Sequence, residues 1–201
     1  VATEGCGFVI PNGARSFSSI CSDGSFLTSN LDASGGLISS TRTEAMFDPV
    51  GDPVFEAPVA YDENAYFLSF SGKLLPVNIG EKQISAGDWL SLATTEDEKS
   101  WRPGGITPMT SDTNGNVYVL MHPDGGEGTH KNGGSEVWVY DLEKKKRTNR
   151  IELKNWSLVV GSSGTGKNKF LLTTNTDMAI DVYKLPTANY VRTLTSAGSN
   201  P

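Results

Sequence analysis

The chain has 201 residues, 37% of them hydrophobic, with 22 Gly and 10 Pro, which is lean for a helical bundle but workable for sheets that bury one face at a time. Its 17 Lys and Arg against 23 Asp and Glu give a net charge of −6 and a pI near 4.9, so nucleic acid is a poor partner. No apolar run approaches the roughly 18–20 residues a membrane helix needs, and Val1-Ala2-Thr3-Glu4 is not the basic, then apolar, start of a signal peptide. Lacking an initiator Met, the chain is expected to be processed or part of a longer polypeptide.

The first elements surround the two cysteines. Cys6 precedes the apolar run Phe8-Val9-Ile10, Cys21 follows Phe17-Ser18-Ser19-Ile20, and Pro11-Asn12-Gly13 between them is turn chemistry. Two neighbouring antiparallel strands would bring the sulfurs together. A disulfide closing a loop of about 15 residues is worth roughly 3 kcal/mol and implies an oxidising compartment. The other reading is a pair of free buried thiols in a cytosolic protein. Further strands are expected at Tyr66-Phe67-Leu68-Ser69-Phe70, Val117-Tyr118-Val119-Leu120-Met121, Val137-Trp138-Val139-Tyr140 and Phe170-Leu171-Leu172-Thr173-Thr174. Turn signals separate them at Asp23-Gly24, Gly35-Gly36, Ser71-Gly72, Asn114-Gly115 and Gly133-Gly134. One helix is expected, around Asp88–Glu98, with Trp89, Leu90 and Leu92 before a charged tail.

A pattern recurs along the chain: a turn, an alternating strand, then Asn, Asp or Lys followed by Leu or Ile. The closing apolar residue falls at Leu31, Ile79, Leu142 and Leu185. Blades of four strands take about 40–50 residues in propeller families, and such sheets cover both faces by stacking on one another. The pattern predicts an all-β chain, residues 1–201 forming a single β-propeller segment of about four blades with an insertion at about 88–105. A sandwich or an up-and-down barrel competes, but neither repeats at about 50 residues.

Several motifs invite chemistry. Gly161-Ser162-Ser163-Gly164-Thr165-Gly166-Lys167-Asn168 nearly fits a phosphate-binding loop, yet Asn168 replaces the hydroxyl residue and a strand follows where a helix is required. It is expected to be a hairpin loop. His122 and His130 bracket a Gly-rich loop and read as surface histidines, since the sequence nominates no third metal ligand. Trp101-Arg102-Pro103-Gly104-Gly105 either packs the insertion onto its blade, with Arg on Trp, or serves a subunit interface. Asp48, Asp52 and Glu56 are ordinary turn acids or, alternatively, paired carboxylates of a propeller hydrolase. Lys144-Lys145-Lys146-Arg147 reads as a solvated hairpin tip. The chain shows no catalytic, cofactor-binding or metal-binding set of its own.

Taken together, Cys6 and Cys21 flanking Pro11-Asn12-Gly13-Ala14-Arg15-Ser16-Phe17, Met46-Phe47 with Asp52-Pro53, Trp101-Arg102-Pro103-Gly104-Gly105, Met121-His122-Pro123-Asp124-Gly125, Glu127-Gly128-Thr129-His130-Lys131 and Glu136-Val137-Trp138-Val139 resemble one family. It is the heavy (alpha) subunit of tryptophan tryptophylquinone amine dehydrogenases. The His-Pro-Asp-Gly and Gly-Thr-His-Lys stretches look closer to aromatic amine dehydrogenase than to methylamine dehydrogenase. The resemblance runs from Cys6 to Leu194. It implies a seven-bladed propeller, a disulfide matching Cys6–Cys21, and a periplasmic α2β2 complex. There the light subunit carries the tryptophan tryptophylquinone, and electrons from a primary amine pass to a blue copper protein, azurin or amicyanin. On this reading the chain is a non-catalytic scaffold with Trp101, Arg102, His130 and Lys131 as interface candidates. Trp138 is strand core, and Trp89 and Trp101 pack the insertion. A propeller that only binds protein is the alternative. Seven blades need about 350 residues, so amino-terminal blades and a ring-closing strand after Ala197-Gly198-Ser199-Asn200-Pro201 are expected to lie outside this sequence.

Overall fold

The computed structural model describes residues 2–80 and 84–195. No α-helix occurs among them; the regular backbone is strand, interrupted by short 3-10 turns. The first sheet is an antiparallel meander of β1 (Cys6–Gly13), β2 (Ser16–Cys21), β3 (Phe26–Leu31) and β4 (Leu37–Arg42). The second follows as β5 (Val59–Tyr61), β6 (Asn64–Leu68), β7 (Lys73–Asn78) and β8 (Ser85–Ala86). After the two-residue β9 (Leu90–Ser91), the third and largest sheet holds β10 (Arg102–Pro103), β11 (Met109–Ser111), β12 (Asn116–His122), β13 (Gly134–Asp141), β14 (Lys146–Ser163), β15 (Phe170–Asn175), β16 (Ile180–Lys184) and β17 (Asn189–Leu194). This all-β plan of sequential antiparallel meanders is the one expected of propeller modules.

The large sheet is two meanders joined by one strand. The 18 residues of β14 pair with β13 as far as Gly134↔Ser157, then with β15 from Ser157↔Asn175 to Ser163↔Phe170. A parallel bridge, Thr107↔Val159, ties the chain entering β11 to the second half of β14. Leu31 ends β3, and Ile79, Leu142 and Leu185 directly follow β7, β13 and β16, so each repeat marker closes the third strand of its meander.

The chain forms two compact units, Val1–Ser69 with Leu74–Trp89, and Phe70–Lys73 with Leu90–Pro201. In the first, β1, β2 and β3 share a core with β6 and β7 through Ile10, Ile20, Phe26, Ala65, Phe67, Leu75 and Val77. Phe26 and Phe67 meet edge to face with ring centres 5.3 Å apart, a favoured aromatic geometry. In the second, Tyr118 and Leu120 of β12 and Val137 and Val139 of β13 pack with Val160, Leu171 and Tyr183. Period-two alternation sends these side chains to one face while Trp138 and Tyr140 take the other.

Cys6 and Cys21 stand directly opposite in the β1–β2 ladder and are joined as a disulfide. The helix expected around Asp88–Glu98 is absent. Leu90 and Leu92 are two residues apart, the period of extended chain, and Leu92 is fully buried. A single 3-10 turn, Asp97–Ser100, is all that forms, and Trp89 is 37% exposed. The ring-closing strand expected after Ala197 concerns residues outside those described.

The Phe26–Phe67 contact sits at the centre of the first core, where both rings are fully buried. Phe67→Ala is expected to destabilise the fold by about 3–5 kcal/mol, read from chemical denaturation, because the cavity cannot collapse between two sheets.

Candidate functional site

Three of the four sequence-nominated interface residues come together beside β10. Arg102 pairs with His122 across the β10–β12 ladder, and the Gly105 N–H donates to the His130 carbonyl at 2.9 Å. That bond lays the 3-10 turn Thr129–Lys131 against this edge, with Lys131 exposed. Arg102 Nη1 donates to the carbonyls of Lys99 and Trp101, close by in the chain. His130 stacks on Phe70 with ring centres 4.5 Å apart.

Trp101 turns instead toward Trp138, 5.5 Å away. The guanidinium stacked on Trp101 belongs to Arg150, at 4.8 Å, and not to its neighbour Arg102. Arg147 and Arg150 lie over the Trp138 ring at 4.4 and 4.9 Å. This follows from strand register, since Trp138 is opposite Arg150 and Tyr140 is opposite Arg147. Two carboxylates complete the cluster. Glu136 accepts from Arg150 Nε at 2.6 Å, from its Nη2 at 2.8 Å and from Trp138 Nε1 at 2.8 Å. Glu98, on the short 3-10 turn, accepts from Arg147 at 2.7 Å, Arg150 at 3.1 Å, the Thr94 hydroxyl at 2.9 Å and the N–H of Thr94 at 2.8 Å. Lys144 and Lys145 occupy the hairpin tip, but Arg147 is not solvated as expected; its side chain is 12% exposed because it reaches Glu98.

Trp138 is fully buried, its Nε1 is committed to Glu136, and guanidinium groups cover its ring.

His122 corrects a second expectation. It is 3% exposed, as the last residue of β12 rather than part of the loop surface. Its Nδ1 lies 3.1 Å from the Pro123 carbonyl, and its Nε2 has no hydrogen-bond partner among the described residues. A Cβ at Gly104 or Gly125 would fall 2.9 Å from the ring, so glycine at both positions lets the chain close over the imidazole. Trp156, 40% exposed, donates to the Asn132 carbonyl at 2.6 Å beside it. No three His, Cys, Asp or Glu side chains gather as a metal site among the described residues.

The phosphate-loop resemblance at residues 161–168 ends in one 3-10 turn, Gly166–Asn168, followed directly by β15. The loop is anchored instead by Lys169, which pairs with the Asp112 carboxylate at 2.9 Å; Asp112 also accepts from Tyr118. Asp48 accepts from the N–H groups of Val50 and Gly51, both at 2.9 Å, and those bonds hold its carboxyl below its ordinary value. That is turn chemistry, the plainer of its two expected roles.

Burial alone would raise the Glu98 pKa, but the bonds from Arg147 and Thr94 outweigh it and pull the group from 4.5 to about 2. A carboxyl depressed on folding stabilises above its unfolded pKa and loses that contribution as pH falls toward the folded value. Stability measured by urea unfolding should therefore drop between pH 4.5 and 2 by on the order of 2–3 kcal/mol from this group. Glu98→Gln should lose about 1–3 kcal/mol at pH 7 and flatten that part of the profile.

Similar proteins give the family. The model for the methylamine dehydrogenase heavy chain matches residues 2–201. The methylamine dehydrogenase heavy chain of Methylorubrum extorquens is 22% identical over 199 residues, 98% of this chain and 48% of that protein. Those of Methylophilus methylotrophus and Methylobacillus flagellatus are each 26% identical, over 75% and 73% of this chain and 37% and 36% of their own lengths. The chain thus spans about half or less of the length of the curated relatives it matches. By the near-complete match of the family model, together with its all-β meanders, the chain belongs to the methylamine dehydrogenase heavy chain family.

Proposed function

We propose that this chain is part of the scaffold subunit of a periplasmic quinoprotein amine dehydrogenase. The family match over residues 2–201 carries this reading. The complex would oxidise a primary amine to an aldehyde and ammonia, with the tryptophan tryptophylquinone on a separate light subunit in an α2β2 assembly. A blue copper protein of the azurin or amicyanin kind would accept the electrons. The sequence stretches at His122-Pro123-Asp124-Gly125 and Gly128-Thr129-His130-Lys131 favour an aromatic amine within that class. The four meanders would be four blades of a seven-bladed ring.

The chain's part in the chemistry is indirect. Rigid sheets exclude water and hold a partner's reactive group in place. The β10 edge with the 3-10 turn Thr129–Lys131 offers a surface for that partner, with the Lys131 side chain exposed. The disulfide between Cys6 and Cys21 supports an oxidising compartment.

Purification of the native protein tests this reading. It should co-purify with a smaller second chain and absorb visible light, and a primary amine should bleach that absorption. A colourless native species without a second chain would overturn it. Lys131→Glu should weaken retention of the smaller chain by about 5- to 50-fold if the β10 edge is the contact.

A further inference from the structure

We propose that the Cys6–Cys21 bridge has one addressable sulfur, Cys6 Sγ, and that this atom is a site for mixed-disulfide formation with small anionic thiols. The inference is independent of the amine dehydrogenase reading.

The two sulfurs sit in different surroundings. Cys21 is 3% exposed, whereas Cys6 is only half-buried. Cys6 lines an open depression of about 370 Å³ with Thr3, Gly7, Phe8, Phe17 and Ser19, large enough to admit a small thiol. A cation stands over the exposed sulfur: Arg42 Nη2 is 3.2 Å from Cys6 Sγ. The guanidinium is held there by the Glu4 carbonyl at 3.0 Å, Asp23 Oδ2 at 3.1 Å and the Ser25 hydroxyl at 3.3 Å.

These facts assign the direction of exchange. An incoming thiolate can reach only Cys6. Its sulfur bonds to Cys6 Sγ, the bond between Cys6 and Cys21 breaks, and the electron pair leaves on Cys21 Sγ, which takes a proton from solvent. No oxidant is consumed. Negative charge spreads over all three sulfurs during the transfer, and the Arg42 guanidinium is placed to stabilise it and to attract an anionic thiol. Cys21, buried beside Cys6, gives its proton back to solvent and attacks Cys6 Sγ in return; the bond to the small thiol breaks, that thiol leaves as its thiolate, and the bridge is restored. The adduct is therefore reversible.

Thiol trapping on the folded full-length chain tests this. The protein is treated with excess 3-mercaptopropionate or uncharged 2-mercaptoethanol, stopped with acid, unfolded and alkylated with N-ethylmaleimide. Peptide mass mapping then locates the adduct. The mercaptopropionate adduct is expected on Cys6 at least about tenfold over Cys21, and Arg42→Gln should slow its formation about fivefold and that of the 2-mercaptoethanol adduct by a smaller factor. Equal labelling of both sulfurs, an adduct on Cys21, or no adduct at all would overturn the proposal. As a second arm, Cys21→Ser should react with dithiobis(nitrobenzoate) at least about tenfold faster than Cys6→Ser, both checked for folding by circular dichroism. If those variants fail to fold, the wild-type mapping decides.

Discussion

The whole chain is shaped by central strands that are apolar on both sides. Residues 117–122 of β12 are all buried, as are residues 65–68 of β6. Since successive side chains point to opposite faces, each such sheet must be covered twice. A lone four-stranded sheet of this composition would leave both faces in water, forfeiting about 25 cal/mol for every Å² of apolar surface. In each compact unit the cover comes from the neighbouring meander, which is why two clusters, one around Phe26 and Phe67 and one around Leu120 and Val137, hold their units together.

The second face of β13 shows what happens where no sheet supplies the cover. Trp138 is sealed by Trp101 and the flat guanidinium groups of Arg147 and Arg150, and Glu98 and Glu136 neutralise those cations. Arginine suits this task because its stem is apolar and its head stacks on an aromatic ring while still donating to a carboxylate. Such a cluster tolerates partial exposure, which a purely apolar patch of the same size would not. It also fixes the irregular segment before β10 to the sheet through Glu98.

Much of this was legible in the sequence because it rests on local pattern. Alternation located the main strands, and the strand after Lys167 was enough to reject a nucleotide loop. The disulfide was one of two open readings, and the opposed positions of Cys6 and Cys21 decide it. What escaped depends on register and distance along the chain. Arg147 and Glu98 are 49 residues apart, and nothing in either local sequence announces the pair. A cross-strand alignment of the hairpin from Asp141↔Lys146 would have placed Arg147 opposite Tyr140, but Arg150 comes opposite Trp138 only through a register shift between Val139 and Tyr140. His122 was misjudged because the Gly-rich loop beginning beside it masked its place at the end of a strand. The helix expected near Leu90 failed because its apolar residues follow the extended period and its charged tail has partners elsewhere.

The continuity of β14 has a mechanical meaning. One backbone serves as the last strand of one meander and the first strand of the next, with Ser157 paired to both Gly134 and Asn175. A shift by one residue on either side would flip side chains out of the core on that side and drag the other ladder with it. Two meanders that share a rail in this way are poor candidates for melting one at a time. Local opening is pushed outward to the loops, while the seam between the two meanders stays shut.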